Sequence, residues 1–274
     1  MLLGTSSPLS HCGPQDWAAR HVSLGLGSVV FPLDCTADPH LIDEYAAAAH
    51  DAGLVIAEVG IWRNMLAADP SERKAMTAYA IGQLEMADRI GARCCVNVLG
   101  TPYGPRWDGG YRENFSDDAW KLGVAKVREI IDAVHPVHTK FSIESMPWMI
   151  PSGPDEYLRL VEEVDRPEFG VHLDVVNMVT SPERYFFNDR FLHECFDKLS
   201  GKIVSCHLKD VRLLPDYTFQ LQECACGEGS LDIGLFIELA DRESPQMPMI
   251  IEHLADDAAY LASISYLKQT FLSR

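Results

Sequence analysis

Residues 203–210 read IVSCHLKD, a run of apolar residues that ends in a histidine, a lysine and an aspartate. Short runs rich in Val, Ile, Cys and Phe are typical of buried β-strands. Similar runs occur at residues 2–5, 29–33, 55–60, 94–99, 141–145, 169–174 and 249–254. The pattern therefore predicts eight strands, these seven and residues 203–209.

Most stretches between these runs carry apolar residues at three- and four-residue spacing, the pattern of one buried helix face. The apolar sets are Leu41, Tyr45, Ala48 and Ala49; Met76, Ala80, Leu84 and Ala87; and Leu122, Val127, Ile130 and Val134. Helix-start signals stand at Pro39, Ser71 after Pro70, Ser116 with Asp117 and Asp118, and Pro154 with Asp155. The segment between Pro14 and Leu24 gives the weakest helix signal.

The strand–helix units follow one another without a linker rich in Pro, Gly or Ser. Parallel strands need helical crossovers, and eight such units close into a barrel of about 250 residues. The sequence therefore predicts an α/β fold, a single (β/α)8 TIM barrel domain over residues 1–274. Its active site is expected at the carboxyl ends of the strands.

The charge balance argues against a nucleic-acid partner. The 274 residues include 23 Lys plus Arg against 40 Asp plus Glu, a formal net charge of −17. Binding to phosphate backbones needs clustered positive charge, so a small-molecule partner is expected instead.

The sequence also predicts a cytoplasmic protein without a membrane span. No window approaches the ~20 apolar residues of a span, and the start MLLGTSSPLS lacks the features of a signal peptide. The eight cysteines form no CxxC pair and are interpreted as reduced thiols.

Four polar residues stand at the ends of predicted strands five to eight, and a barrel rim brings such side chains side by side. They are Glu144 in FSIES, Asp174 in FGVHLD, His207 in IVSCHLKD and Glu252 in MIIEHL. Three carboxylates and one imidazole carry a formal charge of −3, which a divalent cation reduces to −1. A single Asp or Glu after a strand is more often a helix cap or a solvated loop residue, but four at consecutive strand ends favour a metal site.

Five stretches around these residues are distinctive: IESMPW, HLDVVN, CHLKDVRL, CGEGSLD at 226–232, and IIEHL. They resemble the xylose isomerase-like (sugar phosphate isomerase/epimerase) TIM barrels, and the resemblance covers nearly the whole chain. That family includes ketose 3-epimerases, hydroxypyruvate isomerase, inosose dehydratase and the endonuclease IV enzymes. The resemblance implies that Glu144, Asp174, His207 and Glu252 bind one divalent ion, commonly Mn, Mg, Co or Zn.

Departures from the family patterns narrow the choice. Endonuclease IV-type members hold three zinc ions with extra histidines, whereas the matching positions here are Leu99, Asn177 and Glu223. Ketose 3-epimerases usually have a second Glu and a further His where this chain has Ile150 and Asn177. These differences argue against DNA repair and against the ketohexose subgroup, and they leave the metal site intact.

A base beside such a cation can remove the proton between a carbonyl and a hydroxyl and leave an enediolate, the step that isomerases and epimerases share. Glu144 and Glu252 terminate strands on different sides of the substrate, so one is expected to take the proton and the other to return it. Lys209 either stabilises an enolate oxygen or pairs with Asp210 or another carboxylate.

Eight further residues are candidates for substrate binding: Glu58, Trp62, Asn97, Trp148, His172, Asn177, Arg212 and Glu223. Trp62 and Trp148 follow strands three and five, where indole faces either stack on a sugar or pack loops. Arg212 either holds a substrate carboxylate or phosphate or is a solvated loop residue. Glu58 bonds substrate hydroxyls or neighbouring groups, and His172 is more typical of a barrel core than of a ligand.

Together the patterns predict a divalent-metal-dependent isomerase or epimerase of a small sugar or related polyhydroxy carbonyl compound, working as a homo-oligomer. Two alternatives stay open. One is an inosose dehydratase-like lyase, in which proton removal is followed by loss of a β-hydroxyl. The other is a metal-binding barrel without turnover. The sequence does not choose between a free and a phosphorylated substrate.

Overall fold

Eight parallel strands form a nearly closed barrel in the computed structural model, which describes residues 1–272. The barrel strands are β1 (Leu2–Thr5), β2 (Ser28–Val30), β3 (Val55–Gly60), β4 (Cys94–Asn97), β5 (Lys140–Ile143), β6 (Phe169–Asp174), β7 (Ile203–Leu208) and β10 (Pro248–Ile251). They neighbour one another in the order β1-β10-β7-β6-β5-β4-β3-β2. The predicted (β/α)8 barrel is confirmed.

Ten α-helices lie within the described residues, and a 3₁₀ helix at Arg112–Phe115 precedes the fourth of them. They are α1 (Pro14–Ser23), α2 (Pro39–Asp51), α3 (Pro70–Ile90), α4 (Asp117–Val134), α5 (Pro154–Val164), α6 (Val175–Met178), α7 (Pro182–Phe186), α8 (Asn188–Leu199), α9 (Ile233–Glu243) and α10 (Asp257–Thr270). Each of these helices is too short or too polar to span a lipid bilayer.

The predicted helix starts are confirmed, and their capping chemistry explains them. The side chains of Asp38, Asp69 and Ser116 accept hydrogen bonds from first-turn N–H groups of α2, α3 and α4. The segment with the weakest signal is also a regular helix, α1, which begins at Pro14 and buries Trp17 against the core.

The barrel closes between β1 and β2 through two hydrogen bonds instead of a regular ladder. The Gly27 N–H donates to the Leu3 carbonyl at 2.9 Å, and Ser28 Oγ donates to the Leu2 carbonyl at 3.1 Å. A Cβ atom at Gly4 would lie only 2.7 Å from the backbone oxygen of Ser28. Glycine at this position therefore permits the close approach of the two strands.

Two strands of the structure were not predicted. β8 (Asp210–Leu213) and β9 (Leu221–Cys224) form an antiparallel hairpin over the segment that the sequence indicated as a loop after strand seven. Five predicted strands also run too far at their carboxyl ends, because the chain leaves the ladder there to enter the rim loops: 29–33, 94–99, 141–145, 203–209 and 249–254.

Polar side chains fill part of the barrel interior beneath the carboxyl rim. Glu58, Ser142, His172 and Ser205 are all buried. Ser205 Oγ donates to Glu58 Oε1 at 2.7 Å, a bond that crosses the interior from β7 to β3. The apolar core lies mainly between the strands and the surrounding helices. The rim above this polar interior carries the candidate site.

Candidate metal centre

The four predicted metal ligands converge at one rim. Glu144 follows β5, Asp174 ends β6, His207 lies in β7 and Glu252 follows β10, and these four strands are neighbours in the barrel. Each side chain offers one ligand atom, and these atoms all lie within 4.8 Å of one another. All four residues are buried.

The imidazole of His207 lies between two sets of carboxylates. Its Nδ1 atom is 3.1 Å from Glu144 Oε1, 3.0 Å from Glu252 Oε2 and 3.9 Å from Asp174 Oδ2. Its Nε2 atom is 3.3 Å from Glu58 Oε2, beneath the rim. Nδ1 therefore faces the four-residue cluster, and Nε2 faces the barrel interior.

Lys209 pairs with three carboxylates at the same rim. Its Nζ atom lies 2.7 Å from Asp174 Oδ2, 2.8 Å from Glu252 Oε1 and 2.9 Å from Glu223 Oε1. Burial alone would lower the pKa of Lys209, but Asp174 and Glu252 hold it well above its usual value. The side chain is therefore an ammonium, and its partners are these carboxylates and not Asp210.

The two catalytic candidates differ in electrostatic environment. Burial raises the pKa of Glu144 to about 7, against the opposing effect of the nearby His207. Burial acts in the same direction on Glu252, but His207 and Lys209 outweigh it and lower the pKa of Glu252. Lys209 Nζ pairs with Glu252 and forms no ion pair with Glu144.

The residues fit a divalent cation. Three carboxylates and one imidazole form a hard donor set suited to Mg²⁺ or Mn²⁺ and also compatible with Zn²⁺ or Co²⁺. Asp174 Oδ2 accepts no hydrogen bond from the described residues, although Lys209 Nζ is close to it. Burial alone would lower the pKa of His207, but Glu252, Glu58 and Glu144 hold that pKa well above its usual value. The surrounding carboxylates therefore stabilise a positive charge at this position.

A cavity of about 640 Å³ opens next to the cluster, with Glu144 in its wall. Its lining comes from the loops after the barrel strands and from the hairpin: Trp62, Val98, Trp107, Asp108, Glu144, Met146, Pro147, Trp148, Val176, Asn177, Val179, Thr180, Val211, Phe219, Leu221, Glu223 and His253. Four predicted substrate-binding residues, Trp62, Trp148, Asn177 and Glu223, are among them. Contact of these four with a substrate stays a prediction.

The other four predicted substrate-binding residues do not line the cavity. Glu58 and His172 are buried in the barrel interior, where His172 Nδ1 lies 3.6 Å from Glu58 Oε1. Asn97 is buried and bonds the backbone of Arg63 through both its side-chain oxygen and nitrogen, at 3.2 and 2.8 Å. Arg212 is part of β8 and donates to Gln222 Oε1 across the hairpin. Substrate contact by these four residues stays a prediction; in the structure Glu58, Asn97 and His172 are buried, and Arg212 is exposed and bonded to Gln222.

Several residues that line the cavity were not predicted from the sequence. His253 directly follows the predicted ligand Glu252, and its Nδ1 atom lies 2.8 Å from Glu223 Oε2. Its place in the IIEHL stretch was a signal that could have identified it. Trp107 and Phe219 lie in a long loop and a hairpin turn, where no periodicity marked them.

The comparison with protein families agrees with this geometry. A profile described as xylose isomerase-like TIM barrel matches residues 18–270, which is most of the chain. The chain belongs to the xylose isomerase-like TIM barrel family. A search of the curated proteins found no match.

Solved structures include several with the same barrel. A xylose isomerase-like TIM barrel protein from Mycobacterium smegmatis in complex with magnesium has a TM-score of 0.68 and 19% identity, over 93% of this chain and 87% of that one. D-psicose 3-epimerase with D-tagatose, from Clostridium cellulolyticum H10, has a TM-score of 0.67 and 14% identity, over 97% and 89%. The probable 3-DHS dehydratase AsbF of Bacillus anthracis has a TM-score of 0.73 and 14% identity, over 98% and 99%. At these identities the likeness shows the xylose isomerase-like fold alone.

Proposed function

We propose that this xylose isomerase-like barrel is an isomerase or epimerase of a small polyhydroxy carbonyl compound that uses one divalent metal ion. The observation that carries the proposal is the convergence of Glu144, Asp174, His207 and Glu252 beside a 640 Å³ cavity. A divalent ion bound there supplies a Lewis acid that polarises a carbonyl and its neighbouring hydroxyl. The similar structures named as an epimerase and as a magnesium complex support this class of reaction.

The two catalytic carboxylates reach the site from different parts of the rim. Glu144 extends from the end of β5 and Glu252 from the end of β10, with β6 and β7 between them in the barrel. Glu144 forms part of the cavity wall, and Glu252 Oε2 lies 3.4 Å from Nε2 of the lining residue His253. One carboxylate accepts the proton from the substrate C–H bond, and the other donates a proton to a different carbon or to the opposite face.

This exchange balances without an electron acceptor. The C–H electron pair becomes the C=C bond of the enediolate while the carbonyl π pair moves to oxygen. A proton returned to the opposite face of the same carbon re-forms the carbonyl and gives an epimer. A proton returned to the former carbonyl carbon gives an isomer, and the hydroxyl proton then moves to the former carbonyl oxygen. Lys209 places a positive charge 2.8 Å from Glu252 Oε1, which favours the ionised form of that carboxylate.

A deuterium-exchange screen tests the proposal. Purified protein is analysed for bound metal and then incubated in D₂O with ketoses, hydroxypyruvate or inososes. We expect about one divalent ion per chain and deuterium uptake at a carbon next to a carbonyl. Glu144→Gln and Glu252→Gln are expected to lose metal and exchange, whereas Glu228→Gln, at an exposed carboxylate, retains both.

The products distinguish the remaining classes. Loss of water from an inosose identifies a lyase, consistent with the fold likeness to the probable dehydratase. Bound metal without exchange on any substrate class contradicts the proposed enzyme and supports a metal-binding barrel. Cytoplasmic location and homo-oligomeric assembly stay predictions.

A further inference from the structure

Four aromatic side chains, Trp62, Trp107, Trp148 and Phe219, line the cavity and together are called its aromatic wall. Trp62, Trp148 and Phe219 each leave more than a third of their surface exposed. Exposed indole and phenyl faces of this kind suit the C–H faces of rings. Because four such groups line one cavity, the wall offers far more apolar area than isolated surface aromatics do.

Two members of this aromatic wall are held in place before any ligand binds. Trp148 Nε1 donates to the Asp108 carbonyl at 2.8 Å, and the Trp148 side chain packs on Gly110. The indole of Trp62 folds over Gly60, where a Cβ atom would collide with it. Preformed contact surface reduces the entropy lost on binding.

The cavity is also lined by polar side chains, which are called its polar end. Glu144, Asn177, Glu223 and His253 contribute carboxylate, amide and imidazole groups near the metal ligands. Asn177 Nδ2 donates to Glu144 Oε1 at 3.2 Å, which links this end directly to the four-residue cluster. The reacting hydroxyl and carbonyl groups of a substrate therefore belong at this end.

The cavity is larger than one sugar ring requires. Cavities of about 300–1,000 Å³ typically enclose ligands of drug size, which are larger than a single hexose. The cavity measures about 640 Å³. A substrate that places one sugar at the polar end leaves room for a second ring along the aromatic wall.

The charge of the cavity disfavours an anionic substituent. Among the described residues, the lining contains neither Lys nor Arg, but it contains Asp108, Glu144 and Glu223. Nearby cationic groups are already paired with carboxylates: His253 Nδ1 lies 2.8 Å from Glu223 Oε2, Lys209 Nζ pairs with three carboxylates, and Arg106 Nε pairs with Asp108 at 2.8 Å. A phosphate or carboxylate on the substrate would lack the cationic partner that such sites normally provide.

We infer that the substrate is an uncharged sugar that carries a second ring, seated on the aromatic wall of Trp62, Trp107, Trp148 and Phe219. This inference rests on the proposed function and specifies its substrate class. The second ring is either an apolar aglycone or another sugar, since both present a flat face of C–H or π character.

Intrinsic fluorescence measures binding without any need for turnover. Three tryptophans line the cavity, whereas Trp17 and Trp120 are buried away from it. The metal-loaded protein is titrated with four saccharides that probe ring number and charge without having to react: methyl β-D-glucoside, phenyl β-D-glucoside, cellobiose and glucose 6-phosphate. We expect phenyl glucoside or cellobiose to bind about tenfold more tightly than methyl glucoside, and glucose 6-phosphate to bind more weakly than any of them.

Variants on the hairpin test whether the aromatic wall causes the difference in affinity between one-ring and two-ring saccharides. Phe219→Ala is expected to remove most of the preference for two rings, while Tyr217→Ala, at a fully exposed position on the same hairpin, retains it. If phenyl glucoside binds more tightly than cellobiose, the second ring is an aglycone; if cellobiose binds more tightly, the second ring is a sugar. Equal affinity for one and two rings, tighter binding of the phosphate, or no fluorescence change with any saccharide overturns the inference. The deuterium-exchange screen judges the proposed reaction separately.

Discussion

Glu58 Oε2 lies 3.3 Å from Nε2 of His207, on the edge of the imidazole opposite to the rim carboxylates. Burial alone would raise the pKa of Glu58, but His207 and His172 outweigh it and lower the pKa. An ionised Glu58 favours the His207 tautomer with a proton on Nε2, which leaves the Nδ1 lone pair for a cation. Sequence reasoning left the partner of Glu58 open, and the structure identifies it.

Removal of this negative charge is expected to weaken metal binding. Glu58→Gln keeps the size of the side chain but loses the carboxylate, so the dissociation constant for Mn²⁺ should rise about 10- to 100-fold. A competition titration against a coloured chelator measures the change. Glu228→Gln is the matched control, since its carboxylate is exposed. Unchanged Mn²⁺ affinity in Glu58→Gln contradicts this role.

Lys209 is expected to stabilise the metal-free protein. Lys209→Met leaves Asp174, Glu223 and Glu252 without their ammonium partner, and loss of one partner of a buried ion pair costs about 3–5 kcal/mol. Urea denaturation of chelator-treated protein measures the loss. A divalent ion should restore more stability to this variant than to the wild type, because the carboxylates then have a cation. The exposed Lys121→Met is the control; equal stability of both variants would refute the expectation.

Asp210 fixes the loop that follows the hairpin. Its carboxylate accepts N–H bonds from Val211, Gly227, Gly229 and Leu231 at 2.8, 3.0, 3.0 and 2.9 Å. In Asp210→Asn an amide NH₂ group faces some of these donors, so we expect a loss of about 1–3 kcal/mol in the free energy of unfolding. Hydrogen exchange should also accelerate at residues 225–231.

The control for Asp210 is on the same hairpin. Asp216 is exposed in the turn between β8 and β9, so Asp216→Asn should leave both the stability and the exchange rates unchanged. If the two variants behave alike, Asp210 does not organise this loop.

The closure of the barrel between β1 and β2 depends on Gly4. Gly4→Ala forces a Cβ atom against the Ser28 backbone and the Ile250 side chain, and overpacking of this kind costs about 1–3 kcal/mol. Thermal unfolding of the two proteins measures the difference. Gly82→Ala in α3 meets only the flexible Cys35 side chain at 3.1 Å and gains up to ~1 kcal/mol of helix propensity. A Gly4→Ala variant as stable as Gly82→Ala would show that the strands can separate without cost.

The barrel strands and the starts of helices such as α2 and α5 could be predicted because their signals are local. A strand between helices buries both faces, so its residues are apolar in sequence, and a proline or a capping side chain marks the first turn of a helix. The hairpin of β8 and β9 could not be predicted in the same way. Its strands carry exposed polar residues such as Gln222 and Glu223 and pair only with each other, so no apolar run marks them.

The sequence by itself determined the barrel and the rim positions of the four candidate ligands, because residues at the carboxyl ends of parallel barrel strands meet at one rim. Only the tertiary structure decided what surrounds those ligands. Glu58 meets His207 across the barrel, and Phe219 joins Trp62 around one cavity, although long stretches of chain separate the members of each pair. The apolar patterns of buried strands and helix faces repeat along the chain, so they can be recognised in the sequence. The conformations of rim loops depend on contacts between distant segments, which no local pattern records.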